Sequence, residues 1–123
     1  MRGFAMKTKL TVGSCVAVAL AASGVALAHH GWGDYDAAKM FTIASPVEAV
    51  TPGNPHVTVR LKHENKVWVA VLAPPSRMTS RGMPPETIKA GAEIKLEGYP
   101  KRNGEPEMRA ERITMAGKTI ELR

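Results

Sequence analysis

The stretch "HVTVRLKHENKVWVAVLA", residues 56–73, decides the fold class. Its first eight residues alternate, with Val57, Val59 and Leu61 on one face and Thr58, Arg60 and Lys62 on the other. A period of two is typical of a strand that buries one face. The polar turn "ENK" follows, and "VWVAVLA" (67–73) is then almost continuously apolar. Two strand-like runs joined by a short turn predict an antiparallel hairpin.

The flanking segments supply further strands. Upstream, "MFTIASPVEAV" (40–50) is rich in β-branched residues but contains Pro46, which predicts an edge strand or a bent first strand. Downstream, "PPSRMTSRGMPPETIKAG" (74–91) predicts two short helical turns, and "EIKLEGYP" (93–100) returns to strand alternation.

The C-terminal part predicts a final hairpin. "KRNGEPE" (101–107) carries Asn103-Gly104, a pair typical of a tight hairpin loop. "MRAERITMAGKTIEL" (108–122) is either one long strand or two strands divided at Gly117. The whole order predicts an all-β domain over residues 40–123, a small OB-like antiparallel barrel of five to six strands with a short helical connection. An open antiparallel sheet or another small barrel is the alternative, because element order alone does not set strand pairing.

Residues 1–28 have the features of an export signal. Arg2, Lys7 and Lys9 precede a charge-free run over 10–28 that ends in Ala26-Leu27-Ala28. This basic, apolar and small-x-small sequence predicts a signal peptide that is cleaved after Ala28, and therefore a periplasmic protein. A retained membrane anchor is the less favoured alternative, since the run is rich in Ala, Gly and Ser and marginal against the ~20 residues of a span. After cleavage we expect no membrane span.

Cleavage would change the composition of the chain. The only cysteine, Cys15, would leave with the signal peptide, so the mature chain would depend on its core rather than on disulfides. It would keep 14 basic against 11 acidic residues, a net charge of +3. Such a mild charge does not favour a nucleic-acid partner. Residues 29–39 form a polar and aromatic N-terminal arm, whose Trp32 can fold back as a lid, while Trp68 should pack on the barrel.

The same cleavage would make His29 the first residue and a candidate metal ligand. Its free α-amine and its imidazole Nδ1 can close a chelate ring on one metal ion, and nitrogen ligands in a planar array favour Cu(II). His56, after Pro55 at the start of a strand, is the best remote imidazole, and His30 can assist. We therefore expect a copper site at His29, His56 and His30, although each histidine has an ordinary alternative as a surface or capping residue.

Other polar side chains are weaker candidates. His63 is expected to flank the hairpin turn, and Asp34 and Asp36 offer either oxygen ligands or turn caps. We expect Arg77 and Arg81 to be solvated rather than anion-binding. The methionines after the signal peptide are scattered, which favours core packing over Cu(I) binding (Met40, Met78, Met83, Met108 and Met115).

Several motifs together resemble a domain-of-unknown-function family of small secreted bacterial proteins. The motifs are "AHHGWGDYD", "NPHVTVRL", "SRGMPPETIKAGAEIKLEGYP", the "KRNG" loop and the final "RAERIT" strand. Mature chains of that family open with His-His-Ser-Phe-Ala and carry Asn-Pro-His before the second strand and an Arg-Gly in the connecting helix. The resemblance places these motifs at His29-His30, Asn54-Pro55-His56 and Arg81-Gly82. The chain departs from the pattern at Gly31-Trp32, at "TPG" before Asn54, and at Ala92. The resemblance implies a secreted barrel and no established activity.

These observations predict a periplasmic barrel that binds a transition metal, most simply copper, for binding, delivery or sensing. Its partner would be the metal ion or an envelope protein. An enzyme is less favoured, because the chain lacks a nucleophilic triad, a phosphate-binding glycine loop and a zinc-protease spacing. The alternative is a metal-free module for envelope interaction or small-ligand binding, in which the histidines are dispensable.

Overall fold

The computed structural model describes residues 31–53 and 55–123. A 3-10 turn at Trp32–Asp34 precedes the first strand, and another at Pro85–Thr87 follows the short helix α1 (Pro75–Ser80). The strands are β1 (Phe41–Thr51), β2 (Thr58–His63), β3 (Lys66–Val71), β4 (Glu93–Pro100), β5 (Glu107–Met115) and β6 (Lys118–Glu121). The predicted hairpin of β2 and β3 and the predicted bounds of β4 are therefore confirmed.

Five of these strands close into a barrel. The hydrogen-bonded order is β3-β2-β1-β4-β5-β6, and β3 also pairs with β5 in parallel, with Val69 opposite Glu107 and Val71 opposite Arg109. This pairing confirms the OB-like all-β barrel and rules out an open sheet. The barrel is not wholly antiparallel, however, because the closing pair is parallel. Strand β6 pairs with β5 and adds a sixth strand outside the ring.

The inward positions of the strands form one apolar core. Alternation directs every second residue inward, and the fully buried side chains include Ile43, Leu61, Leu72, Leu96 and Ile113. Helix α1 adds Met78, which is also fully buried. Met83 and Met108 are buried as well, which confirms core packing for these three methionines. Met40 is 43% exposed, so core packing is wrong for that residue.

Strand β1 is not an edge strand, and it changes its pairing partner directly after Pro46. It pairs with β4 from Phe41 to Pro46 and with β2 from Val47 to Thr51. The register shifts between Val47 and Ala49, which marks a bulge at the change of partner. Proline cannot donate a backbone hydrogen bond, so this junction between two pairings is a position that tolerates it.

Two tight turns join the hairpins. Glu64 and Asn65 connect β2 to β3 with positive φ angles of 51° and 64°, and Ala116 and Gly117 connect β5 to β6 with 50° and 80°. Positive φ at both central residues gives the backbone twist that matches a two-residue hairpin. The division of the last strand at Gly117 is therefore confirmed.

Part of the sequence-based prediction concerns residues that the structure does not describe. The signal peptide (1–28), His29, His30 and Asn54 lie outside the described residues, so they stay predictions. Among residues 31–53 and 55–123, no helix combines the length and the apolar character needed to cross a membrane.

Candidate functional site

The N-terminal arm lies along β4 and the loop that follows it. Tyr35 forms an isolated β-bridge with Lys101, and its buried phenol donates a hydrogen bond to the Glu107 carboxylate. Burial and the neighbouring Glu107 raise the pKa of Tyr35, so the phenol stays protonated as a donor. The Asp36 amide donates to the Pro100 carbonyl at 2.9 Å. These contacts fix the arm before β1 begins.

Trp32 is held between two arginines. The guanidinium carbon of Arg109 lies 4.5 Å from the centroid of the indole ring, and that of Arg123 lies 4.4 Å away. Tyr99 packs edge-on, with ring centroids 6.0 Å apart and an interplanar angle of 74°. Cation–π pairs of this kind strengthen when they are partly desolvated. Trp32 therefore folds back on the barrel, as the sequence allowed, and covers Arg109.

Arg109 is the buried charge of this site. It is 6% exposed, on the β5 position that pairs with Tyr99 of β4. Within the described residues its Nε finds no hydrogen-bond acceptor, and no carboxylate lies within ion-pair distance of its guanidinium. Burial lowers the pKa of Arg109, and the positive charges of Arg77 and Arg123 add to this effect. The Trp32 ring and one imidazole are the contacts that compensate the charge.

That imidazole belongs to His56, whose Nε2 lies 3.2 Å from Nη2 of Arg109. A guanidinium only donates hydrogen bonds, so Nε2 accepts, and the neutral ring carries its proton on Nδ1. Burial lowers the pKa of His56, and the charges of Arg109 and Arg77 lower it further. His56 is therefore a neutral imidazole at neutral pH, the protonation state that a metal ligand needs.

The lowered pKa predicts a pH dependence of stability. The folded chain binds a proton at His56 less readily than the unfolded chain, whose pKa is near 6.5, so acid favours unfolding. The contribution of His56 to the free energy of unfolding is present above pH 6.5, and it is lost as the pH falls through the lower pKa of the folded state. We expect His56→Gln to flatten this part of the stability profile in urea titrations with a chelator present. An unchanged profile would show that His56 does not titrate differently in the two states.

The other candidate residues lie in different places. His63 flanks the β2–β3 turn, as predicted, at the opposite end of β2 from His56. Asp36 caps a turn by accepting a hydrogen bond from the Ala38 amide at 3.1 Å. Arg77 and Arg81 are exposed, in line with the expectation that they are solvated. Both also donate to backbone carbonyls of the C-terminal segment, Arg77 to Leu122 at 3.0 Å and Arg81 to Arg123 at 3.0 Å.

The described residues alone do not assemble a metal site. Among residues 31–53 and 55–123, no group of three or more His, Cys, Asp or Glu side chains is placed to hold a metal ion. His56 is thus a neutral imidazole beside the arm, and a metal site that included it would need donors from outside the described residues. The structure brings the arm to His56 through Trp32 and Arg109, and it leaves His63 elsewhere.

The chain matches the model of a known family. A family model described as "Family of unknown function (DUF6152)" matches residues 6–109. No curated protein matches the chain.

Proposed function

The chain belongs to the DUF6152 family, and from that premise we propose that it is an exported protein that binds copper through His29 and His56, with His30 assisting. The proposed site combines the α-amine and imidazole of a mature N-terminal histidine with a second imidazole from the barrel. A family of unknown function supplies no activity to transfer, so the proposal depends on the chemistry of these residues.

The anchoring of the arm is the observation that carries the proposal. Only two peptide units separate His29 from Gly31, and the next residue, Trp32, contacts the guanidinium that binds His56. His29 is thus only three positions along the chain from Trp32, which packs beside His56 through Arg109. His56 is also neutral, so that copper need not displace a proton from an imidazolium.

Arg109 sets the cost of binding. In the metal-free chain it occupies the lone pair of His56 Nε2, so coordination through that atom must displace this hydrogen bond. The charges of Arg77 and Arg123 add repulsion against a dication. The chelate formed by an amine and an imidazole is what would offset this cost, because one residue then supplies two nitrogen donors.

Export is supported by the sequence of the first 28 residues. A basic start, a charge-free apolar run and Ala26-Leu27-Ala28 are the parts of a cleavable signal. The family match begins at residue 6, so most of this apolar segment belongs to the pattern of the family. Cleavage after Ala28 is also what would free the α-amine of His29.

A second candidate function is a metal-free module for envelope interaction or small-ligand binding. The positive charges of Arg109 and Arg77 near His56 favour this reading over the binding of a dication. In that case His56 acts as an acceptor that stabilises the buried Arg109.

The free amine is tested by comparing two chains that both begin at His29, one with a free α-amine and one whose α-amine is acetylated. We expect acetylation to lower Cu(II) affinity about hundredfold, because it removes the amine donor and its short chelate ring without adding a residue. Calorimetric titration gives the affinity, and paramagnetic resonance gives the number of nitrogen ligands. Equal affinity in both chains would contradict the amine chelate.

The remote ligand is tested by His56→Ala in the chain that begins at His29. We expect about tenfold weaker Cu(II) binding and one nitrogen fewer in the resonance spectrum, since an imidazole is lost. The matched control is His63→Ala, which removes a histidine at the opposite end of β2. If His56→Ala left copper binding unchanged, as the control does, His56 would not be a ligand. If the chain that begins at His29 bound no Cu(II) at all, the metal-free module would be the better account.

A further inference from the structure

One mouth of the barrel is lined by aromatic rings that the copper proposal does not use. Phe41 begins β1, His63 ends β2 and Trp68 lies near the start of β3. Each has the inward parity of its strand, in line with the fully buried Ile43, Leu61 and Ala70. The three side chains therefore stand on top of the core, at the end of the barrel where the β2–β3 turn lies.

These rings pack on one another as one surface. Their centroids are 5.2 Å apart for Phe41 and Trp68, 5.7 Å for Phe41 and His63, and 5.7 Å for His63 and Trp68. The interplanar angles run from 45° to 76°, so the surface is a cup rather than a flat shelf. A cavity of about 410 Å³ lies over it, within the size range of small-ligand sites.

The rim of this cup is polar and balanced in charge. Lys39, Thr42 and Glu64 line the cavity together with the rings. The side chains of Lys39 and Glu64 are 74% and 82% exposed, so their hydrogen-bonding groups face solvent at the edge. One cation and one anion leave the rim without net charge, which gives a polyanionic ligand such as a nucleic-acid backbone no Coulombic advantage.

We propose that this barrel mouth binds a neutral pyranose ring, as a free sugar or as one unit of an oligosaccharide. A pyranose has an apolar C–H face, which suits the aromatic floor formed by Phe41 and Trp68. Its hydroxyl groups both donate and accept hydrogen bonds, which suits an ammonium, a hydroxyl and a carboxylate on the rim. Lys39 and Glu64 have only long contacts of their own, to Asp36 at 3.9 Å and to His63 at 3.8 Å, so both can still bind a sugar hydroxyl. A phosphate chain would meet the Glu64 carboxylate.

The site is independent of the proposed copper site. His56 and Arg109 lie at the start of β2 and on β5, whereas the cup lies at the far end of β2. Failure of either proposal leaves the other untouched, since the two experiments share no ligand and no readout.

Trp68 provides the signal for the test. The chain has two tryptophans, so Trp32→Phe leaves Trp68 as the only indole. Glucose, N-acetylglucosamine and their β-1,4-linked trimers are titrated while the Trp68 indole N–H resonance and fluorescence are followed. We expect a saturable change with at least one of these sugars and none with glycerol at the same concentration. No saturable change with any of the four would overturn the proposal.

Substitutions locate the binding to the cup. We expect Phe41→Leu to weaken sugar affinity about tenfold, because it removes a ring from the floor. Glu64→Gln and Thr42→Val change only the rim and should also weaken binding, which keeps the test valid if Phe41→Leu does not fold. The control Val67→Ala lies on the same hairpin but does not line the cavity. Sugar affinity that is unchanged in all three cup variants would overturn the proposal. A response of the Trp68 indole to single-stranded oligothymidylate or to a leucine peptide, without a response to sugar, would also overturn it.

Discussion

Gly98→Ala is expected to lower the free energy of unfolding by about 3 kcal/mol, within the range of severe overpacking. A Cβ atom at this position would overlap the Arg109 carbonyl oxygen and would lie 2.8 Å from the Ala110 Cα. Both atoms are backbone, so no rotamer change can relieve the clash. Gly98 lies where the register of β4 and β5 shifts, and the close approach of the two strands at this bulge depends on the missing side chain.

Urea unfolding measures this effect, with Gly31→Ala as the matched control. Gly31 has a φ of −113°, and beyond its chain neighbours no atom of the described residues lies within 4 Å of the position that an added methyl group would take. The same change should therefore cost less than about 0.5 kcal/mol there. Equal stability of the Gly98→Ala chain and the parent chain would mean that β4 and β5 do not approach as closely as described.

Trp32→Ala is expected to release the arm and to lower the free energy of unfolding by about 2 to 3 kcal/mol. The substitution removes the ring that lies between Arg109 and Arg123, and it exposes Arg109 to water. Hydrogen exchange should then speed up at the amide of Tyr35, which donates to the Trp32 carbonyl, and at the amide of Asp36. If the proposed copper site is correct, Cu(II) affinity should fall as well, although no donor atom has been removed.

Two control variants test whether the effect of Trp32→Ala comes from the loss of the aromatic ring or from any change in this part of the chain. Trp32→Phe keeps an aromatic face for the guanidinium groups and should recover most of the stability. Met40→Ala changes an exposed residue of the same segment and should leave exchange at Tyr35 unaltered. Unchanged exchange in the Trp32→Ala chain would show that Tyr35 and its bond to Glu107 hold the arm alone.

The local parts of the fold could be predicted because local patterns determine them. Alternation of apolar residues located β2 and β4, and a continuous apolar run located β3. Gly117 marked the possible division of the last strand, which the structure shows. The parallel pairing of β3 with β5 has no such signature, since the paired residues Val69 and Glu107 are far apart in sequence. The order of elements favoured a closed barrel over an open sheet, but the strand pairing of the structure decided between them.

The candidate site was only partly predictable for the same reason. His56 was identified from its place after Pro55, yet its partner Arg109 was missed, because a charged residue in an alternating strand normally faces solvent. Trp32, from the other end of the chain, lies against the Arg109 guanidinium and so contributes to its burial. The sequence carried one signal of this contact, the tryptophan in the polar and aromatic arm, which was expected to fold back on the barrel. Arg77 and Arg81 show the same limit, since their carbonyl partners come from the C-terminal segment.

The parallel pair that closes the barrel also shapes how the chain folds. Val69–Val71 must meet Glu107–Arg109 across a long intervening segment, and ordering that loop costs entropy before the contacts form. Mixed and all-β domains rich in such distant pairings fold over milliseconds to seconds, more slowly than helical bundles. The β2–β3 hairpin can form early from local contacts, whereas the ring becomes complete only when β5 arrives. Until β5 pairs with it, β3 has one edge whose backbone hydrogen-bonding groups are unpaired.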